Sequence, residues 1–244
     1  MKKLFLKLII TFLFFPLVAF AASTSVDKAE VEGIVKQYLQ DNPKVVFDAL
    51  MAYRSQEMQK MENQSKQTVT DNFDALFKDT KSPILGSKDA KVTVVEFMDY
   101  QCGHCRVMGP RLDTFVDKGD VKVIVRLLPI RGQSSLYATK LAIAAKQQGK
   151  FKDAHNALMK AKDISTEAKV DEVLVAAGVN VEEAKKLMPQ AQKEVDENFA
   201  IATKLKLQGT PALIFASGSP NNAVFIPGAI DSDQLKSIIA SFNG

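Results

Sequence analysis

Cys102 and Cys105 are the two cysteines of this chain, and His104 stands between them. Such a pair could be a structural disulfide, part of a metal site or a reactive dithiol. A disulfide between them would close a loop of only a few residues, and so short a loop adds little stability. Because the chain has no other cysteine, a structural role would make poor use of the one disulfide available. The spacing therefore favours reactivity.

The residues around the pair predict that the two thiols differ. Residues 91–97 (KVTVVEF) are rich in β-branched side chains, typical of a buried strand, and a helical pattern follows the cysteines. Cys102 would then lie at a helix N-terminus, where partial positive charge and free N–H groups lower the pKa of a thiol. We predict that Cys102 is the nucleophile and Cys105 the resolving thiol. The imidazole of His104 can further favour the thiolate.

Glu96 interrupts the apolar run of this strand, six residues before Cys102. Burying a carboxylate is costly unless the group is paired or shares a proton. Arg126, on the next predicted strand, could pair with Glu96, although an arginine that faces solvent is equally compatible with the pattern. An exposed edge position is the alternative for Glu96 itself.

The remaining pattern gives the elements that must position the dithiol. A second strand is predicted at residues 122–128, and helical character then continues from residue 134 to about 207. Two further strands at 212–215 and 223–227 precede a final amphipathic helix. A helix between the first two strands suits a parallel crossover, and a short turn between the last two suits a hairpin. The predicted fold class is α/β, a small mixed sheet with helices on both faces.

Residues 1–21 have the pattern of a secretory signal peptide. Three lysines precede an apolar run at residues 8–22, and Ala19 and Ala21 are small residues that a signal peptidase reads. An uncleaved anchor helix is the alternative, but the run is short for a bilayer span and contains Pro16. We expect cleavage after Ala21, which lowers the formal net charge from +4 to +1.

Export determines which molecules the chain can meet and the redox state of its thiols. The predicted location is the periplasm or another exported position in the cell envelope, where thiols tend to be oxidised. A nearly neutral mature chain gives no argument for nucleic-acid binding. The remaining 223 residues are enough for one full domain and a smaller one.

Residues 22–82 are predicted as an α-helical segment that precedes the dithiol domain. Asn42 can cap a second helix with Pro43 at its first position. That helix carries a stripe formed by Val46, Leu50 and Tyr53, too apolar for a lone helix in water. It must pack on its own domain or on the same helices of another chain. We predict an oligomerisation segment and a homo-oligomer, with a dimer favoured over a trimer.

Two motifs resemble the DsbA-like branch of the thioredoxin superfamily: VVEFMDYQCGHC and the later QGTPALIF. The resemblance covers residues 83–244 and implies a thioredoxin-like mixed sheet with a helical insertion at about 133–207. It implies that Pro211 is cis and faces the dithiol, and that Thr210 pairs with an extended substrate segment. It also implies that Glu96 moves protons to and from the resolving thiol. No cofactor is expected.

The resemblance implies an exported thiol–disulfide oxidoreductase that forms or isomerises disulfides in envelope proteins. Its partners would be unfolded or misfolded proteins with cysteines and a membrane redox partner protein. The Gly103-His104 dipeptide is similar to that of eukaryotic protein disulfide isomerases, and Thr210 before Pro211 is similar to isomerase-type members. The N-terminal helices favour the same direction, and an oxidase role stays open.

Two other classes of protein compete with this interpretation. Cys102, His104 and Cys105 could hold copper or zinc in an envelope metal-binding protein, although the sequence lacks the further Cys and His residues of a closed four-ligand site. A structural envelope protein in which the dithiol is incidental is the third hypothesis.

Overall fold

The computed structural model describes residues 27–242, so the predicted signal peptide lies outside the described residues. The chain divides into two compact units, one that ends at Ser55 and one that begins at Gln56. Helix α1 (Lys28–Asp41) and the first part of helix α2 (Pro43–Asp71) belong to the first unit. Within residues 27–242, no helix combines the length and the apolar character that crossing a membrane requires.

Local chemistry sets the two helix starts of the N-terminal unit. The Asp27 side chain caps α1 by accepting a hydrogen bond from the N–H of Ala29 at 3.1 Å. Pro43 is the first residue of α2, as predicted, where its missing N–H costs nothing. The large apolar side chains of this unit are exposed: Val31, Ile34, Val35, Tyr38, Leu39, Val45, Val46, Phe47, Leu50, Met51 and Tyr53.

The second unit carries the dithiol. After α2 its elements are, in chain order, α3 (Phe73–Phe77), β1 (Ile84–Gly86), β2 (Val92–Met98), α4 (Gly103–Lys118), β3 (Val121–Leu127), α5 (Gln133–Ala145), α6 (Phe151–Lys160), α7 (Glu167–Ala176), α8 (Val181–Lys186), α9 (Met188–Lys204), β4 (Ala212–Ala216), β5 (Val224–Pro227) and α10 (Ser232–Ser241). Helices α5 to α9 occupy the predicted helical insertion.

The strands form one mixed sheet in the order β1-β3-β2-β4-β5. β2 and β3 are parallel, and β4 and β5 form an antiparallel hairpin, which confirms the predicted α/β class. β1, which pairs antiparallel with β3, was not predicted. With three residues, one of them Gly86 at φ +90°, it is too short to show a two-residue periodicity.

The two faces of the sheet hold separate apolar cores because successive side chains of a strand point to opposite sides. Val94 and Met98 of β2 belong to the core that includes α4 and the helical insertion. Val95 and Phe97 belong to a second core on the other face. We call these the α4 face and the α9 face, since Ala202 of α9 lies in the second core.

The α9 face also buries residues from before the predicted domain start. Val69 of α2 and Leu76 of α3 belong to its core, and Leu76 has no solvent exposure. The predicted oligomerisation segment, residues 22–82, therefore ends in residues that pack on the sheet. The sequence places a break at Lys81-Ser82-Pro83 because a polar turn precedes a strand there. The division between the two compact units lies earlier, after Ser55.

Candidate active site

The dithiol lies where β2 passes into α4. The turn after the strand is closed by the N–H of Cys102, which donates to the carbonyl oxygen of Asp99 at 3.1 Å. Cys102 is the N-cap of α4, with extended backbone angles, and the N–H of Arg106 donates to its carbonyl. Cys105 follows within the first helical turn, as predicted. The free N–H groups of that turn therefore face the nucleophile position.

Cys102 is a free thiol without solvent exposure, and its Sγ donates to the carbonyl oxygen of Thr210 at 3.2 Å. Burial raises the pKa of this thiol, but hydrogen bonds to the sulfur outweigh that effect. The Thr210 hydroxyl provides the largest of them, and the backbone N–H groups of Cys105 and His104 add to it. The pKa of Cys102 therefore lies below its ordinary value, in the predicted direction.

Cys105 is also a free, fully buried thiol. Burial raises its pKa far above the ordinary value, and the nearby Cys102 sulfur raises it further. The backbone N–H of Asp99 and the hydroxyl of Thr210 lower the pKa of Cys105 by less. Cys102 is therefore the thiol that ionises first, and Cys105 keeps its proton at neutral pH.

The Thr210–Pro211 segment faces both sulfurs. The peptide bond between these residues is cis, as the resemblance implies, and β4 begins directly after it. The Oγ1 atom of Thr210 is buried and has no hydrogen-bond partner apart from the sulfurs of the dithiol, while its carbonyl accepts from Cys102. A hydroxyl can donate or accept, so this group is free to donate to whichever sulfur carries negative charge.

Glu96 lies in β2 with 3% of its surface exposed, and its Oε1 has no hydrogen-bond partner. Burial raises the pKa of Glu96 to about 8, and the negative charge of Asp113 on α4 adds to the rise. The carboxyl is therefore protonated at neutral pH. Burial and then the charge of Glu96 raise the pKa of the Tyr100 phenol, so these two acids lie close to each other.

The suggested pairing of Glu96 with Arg126 is wrong. Arg126 lies beside Phe97 in the parallel register, so its side chain is on the α9 face while Glu96 is on the α4 face. The guanidinium of Arg126 is 2.9 Å from Asp79 and donates to Oδ1 of Asn198 at 3.1 Å. It also donates to a backbone carbonyl of α3 and does not face solvent.

His104 is exposed, and its imidazole makes no hydrogen bond to a described residue. Its backbone N–H is one of the groups that lower the pKa of Cys102. A side chain in the first turn of α4 points outward, while the N–H groups point toward the helix start. In the described part of the chain, no group of three or more His, Cys, Asp or Glu side chains could hold a metal ion.

Several polar residues that the sequence reasoning missed hold the motif in place. Gln101 donates from Nε2 to Oγ of Ser134 at 2.5 Å and to the carbonyl of Ile164 at 2.9 Å. Arg106 donates to the Tyr100 carbonyl at 2.7 Å and to a carbonyl just after α6. Gln101 had a positional signal, because a polar residue directly after a buried strand lies where parallel strands end together, whereas Arg106 lies inside α4.

His155 is a buried residue of the core. Its Nδ1 lies 3.2 Å from the Tyr100 hydroxyl, and the rings of Tyr100 and Phe151 flank it. Burial lowers the pKa of His155 to about 4, so the ring is neutral at physiological pH. Through Tyr100, this side chain supports the segment that leads into the dithiol.

Comparison with known proteins gives a consistent result. The family model described as a DSBA-like thioredoxin domain matches residues 93–240, more than half of the chain. The matched range includes Cys102, Cys105 and Pro211. Disulfide bond formation protein D of Bacillus subtilis is 29% identical over 177 residues, which are 64% of this chain and 75% of that protein.

Two solved structures extend the likeness to three dimensions. ScsC of Proteus mirabilis in a transitional conformation is 31% identical, with a TM-score of 0.65, and the match covers 88% of this chain and 95% of that chain. A periplasmic thioredoxin-like protein from Salmonella enterica serovar Typhimurium is 29% identical, with a TM-score of 0.60. That match covers 70% of this chain and 94% of the Salmonella chain.

Proposed function

From the premise that this chain belongs to the DSBA-like thioredoxin domain family, a family of thiol–disulfide oxidoreductases, we propose that it forms and isomerises disulfides in exported envelope proteins. The observation that carries the proposal is the difference between the two thiols. Cys102 has a lowered pKa at a helix N-terminus, and Cys105, behind it, has a raised one.

Attack begins with the Cys102 thiolate and a disulfide of the client protein. The thiolate forms a bond to one client sulfur, the client disulfide breaks, and the second client sulfur leaves as a thiolate that takes up a proton. The mixed disulfide joins Cys102 to the client. Because the Thr210 hydroxyl has no other partner, it stabilises negative charge on sulfur during this exchange.

Two exits lead from the mixed disulfide. In isomerisation, another client thiolate displaces Cys102, which leaves as a thiolate without net oxidation. In reduction of the client, Cys105 loses its proton and attacks Cys102, so that an enzyme disulfide forms and the client sulfur leaves. The reverse sequence transfers the enzyme disulfide to a client dithiol. A membrane redox partner protein restores the required state of the dithiol.

Glu96 is the proposed proton carrier for Cys105. A thiol with a strongly raised pKa must transfer its proton before it can attack, and burial keeps water away from it. Glu96 is buried on the same face, and its pKa of about 8 leaves a minor ionised fraction near neutral pH that can accept the proton of Cys105 and return it. Its unpartnered Oε1 has no competing hydrogen bond.

Export to the periplasm or another envelope location is part of the proposal. The lysines and the apolar run of residues 1–21 support it, as does the periplasmic origin of the Salmonella relative. The isomerase direction is supported by Gly103-His104, by Thr210 before Pro211 and by the N-terminal helices. The name of the Bacillus subtilis relative states disulfide bond formation, which supports the oxidase direction.

We also propose that α1 and the first part of α2 join copies of this chain, in a dimer or, as the second choice, a trimer. Their apolar side chains are exposed, with Ile34 at 63% and Tyr53 at 62%. The likeness to ScsC covers 88% of the chain, more than residues 83–244 alone. An assembly would bury the exposed stripes against each other and hold several dithiols around one client.

A client with scrambled disulfides tests the catalytic proposal. The mature wild-type protein should restore the native disulfides, Cys102→Ser should be inactive, and Cys105→Ser should accumulate a mixed disulfide through Cys102. Iodoacetamide at pH 6 should modify Cys102 far faster than Cys105 in the reduced protein. A faster Cys105, or a Cys105→Ser variant that traps no client, overturns the assignment.

The oligomer is tested by light scattering on three mature proteins. The wild type should be an oligomer at micromolar concentration, and a double variant, Ile34→Glu with Leu50→Glu, should be a monomer. Lys36→Glu and Lys44→Glu change exposed polar positions of the same helices and serve as the control. Deletion of residues 22–55 is preferred to a longer one, because Val69 and Leu76 belong to the core. A monomeric wild type refutes the oligomer.

A further inference from the structure

The loop between β3 and α5 lies beside the dithiol motif. β2 and β3 are parallel and end together, and the N–H of Leu128 donates to the carbonyl of Met98 at 2.7 Å. Residues 129–132, the loop that follows, therefore run along the turn that leads from Asp99 to Cys102. The matched strand ends place this loop at the edge of the sheet where a client cysteine must approach.

A buried carboxylate fixes the loop to the motif. Asp99 has no solvent exposure, and its Oδ2 accepts a hydrogen bond from the N–H of Arg131 at 2.9 Å. Its Oδ1 accepts from the N–H of Gln101 at 2.7 Å and from the hydroxyl of Ser135 at 2.6 Å. No described cation pairs with it. The first turn of α5 supplies the compensating positive potential, since Ser135 lies there.

The anchored loop presents two side chains to solvent. Ile130 is 45% exposed, and Arg131 is exposed and makes no side-chain hydrogen bond or ion pair with a described residue. The backbone of Arg131 is therefore fixed while its charge is unused.

We propose that Arg131 is a specificity-determining residue, positioned by Asp99, which favours client segments that carry a carboxylate next to the reacting cysteine. The proposal rests on the proposed function, because a mixed disulfide with Cys102 sets where the client lies. An extended client residue advances about 3.3 Å along the chain, so an acidic side chain one or two residues from the cysteine would come beside the loop. Ile130 would cover the apolar part of the same segment.

Two disulfide-linked peptides that differ at one position test the proposal. One carries Asp and the other Asn two residues from the cysteine, and the full-length mature protein reduces each in turn while a small thiol reductant returns its own disulfide to the dithiol. The wild type should prefer the Asp peptide in kcat/KM, and Arg131→Gln should lower that preference about two- to fivefold. Arg131→Glu should invert the preference, and added salt should weaken it. Lys88→Gln, exposed in the turn before β2, is the matched control and should leave the preference unchanged.

The role of Asp99 is tested by combining its substitution with that of Arg131 and comparing the peptide preferences of the single and double variants. Asp99→Asn should lower the Asp preference as Arg131→Gln does, and the double variant should lose no more than either single one. Independent, additive losses would show that Asp99 does not act through Arg131 and would overturn its positioning role. If the wild type reduces both peptides equally, the inference fails and the proposed function stands. If the wild type reduces neither peptide, the proposed function itself fails.

Discussion

Glu96 and Arg126 are buried ionisable side chains at neighbouring positions on opposite faces of the sheet, and the two faces treat them in opposite ways. On the α4 face, Glu96 has an Oε1 without a partner and a pKa raised to about 8. On the α9 face, Arg126 lies 2.9 Å from Asp79 and bonds to Asn198 as well. One group is neutral and unpaired, and the other is charged and held by several partners.

This difference in pairing indicates that Arg126 has a structural role and that Glu96 has a reactive one. A buried cation with fixed hydrogen bonds is costly to disturb, so Arg126 links β3, α9 and the residues after α3. A neutral acid with a spare oxygen costs less to bury and can exchange a proton without breaking a network. The α9 face therefore supports the dithiol, while the α4 face takes part in its chemistry.

The largest expected effect on stability comes from removing the guanidinium of Arg126, the paired group of the α9 face. Arg126→Met should lower the free energy of unfolding by about 3–5 kcal/mol, because Asp79 is left almost buried without a cation. Urea unfolding measures the loss. The double variant with Asp79→Asn should recover part of it, since it removes the stranded charge. A loss below about 1 kcal/mol would contradict the assignment of Arg126 as a structural residue.

Glu96→Gln should have a smaller effect on stability, with a sign that depends on pH. Because the folded-state pKa is raised to about 8 from 4.5, Glu96 destabilises the fold progressively as pH rises from 4.5 to 8. The substitution should therefore stabilise the protein by about 2–4 kcal/mol at pH 8, less the cost of burying an amide, and lose this gain at pH 4. Equal effects at both pH values would show that Glu96 is not buried as an acid.

Glu96→Gln should also change a reaction rate, which tests whether the α4 face takes part in the chemistry. Glu96→Gln should slow resolution of the mixed disulfide about ten- to hundredfold, because Cys105 loses its proton acceptor. Alkylation of Cys102 should change little, and this reaction is the internal control. Rapid quenching of the mixed disulfide between pH 5 and pH 8 measures the rate. An unchanged rate across this interval would remove Glu96 from the mechanism.

The smallest effect concerns His155, another buried group of the α4 face with a single side-chain hydrogen bond. Its folded-state pKa of about 4 lies below the ordinary 6.5, so its contribution to stability is present above pH 6.5 and is lost as pH falls toward 4. His155→Gln should remove about 1–2 kcal/mol of the stability difference between pH 7 and pH 5.5. If the free energy of unfolding of the variant falls with decreasing pH as steeply as that of the wild type, His155 is not buried as a neutral ring.

The extent of successful sequence prediction follows from how local each signal was. The β-branched apolar run KVTVVEF predicted β2, and the CGHC spacing predicted a dithiol at the start of α4, because both depend on adjacent residues. The partner of Arg126 could not be predicted this way. The alternation of side chains along the strands is enough to exclude Glu96 as the partner of Arg126. The true partner, Asp79, is brought near only by the packing of α3 on the sheet. Asp99 was missed for a similar reason, since its partner Arg131 lies on another strand's loop.

Arg126 also determines which parts of the protein should open together. Its guanidinium contacts Asp79 and a carbonyl of α3 on one side and Asn198 of α9 on the other. In hydrogen exchange, the amides of α3, β3 and the middle of α9 should therefore share one opening free energy and exchange as a cooperative unit. Proteolytic cleavage near Ser55 should leave the protection of that unit intact, because the cleavage site lies outside it.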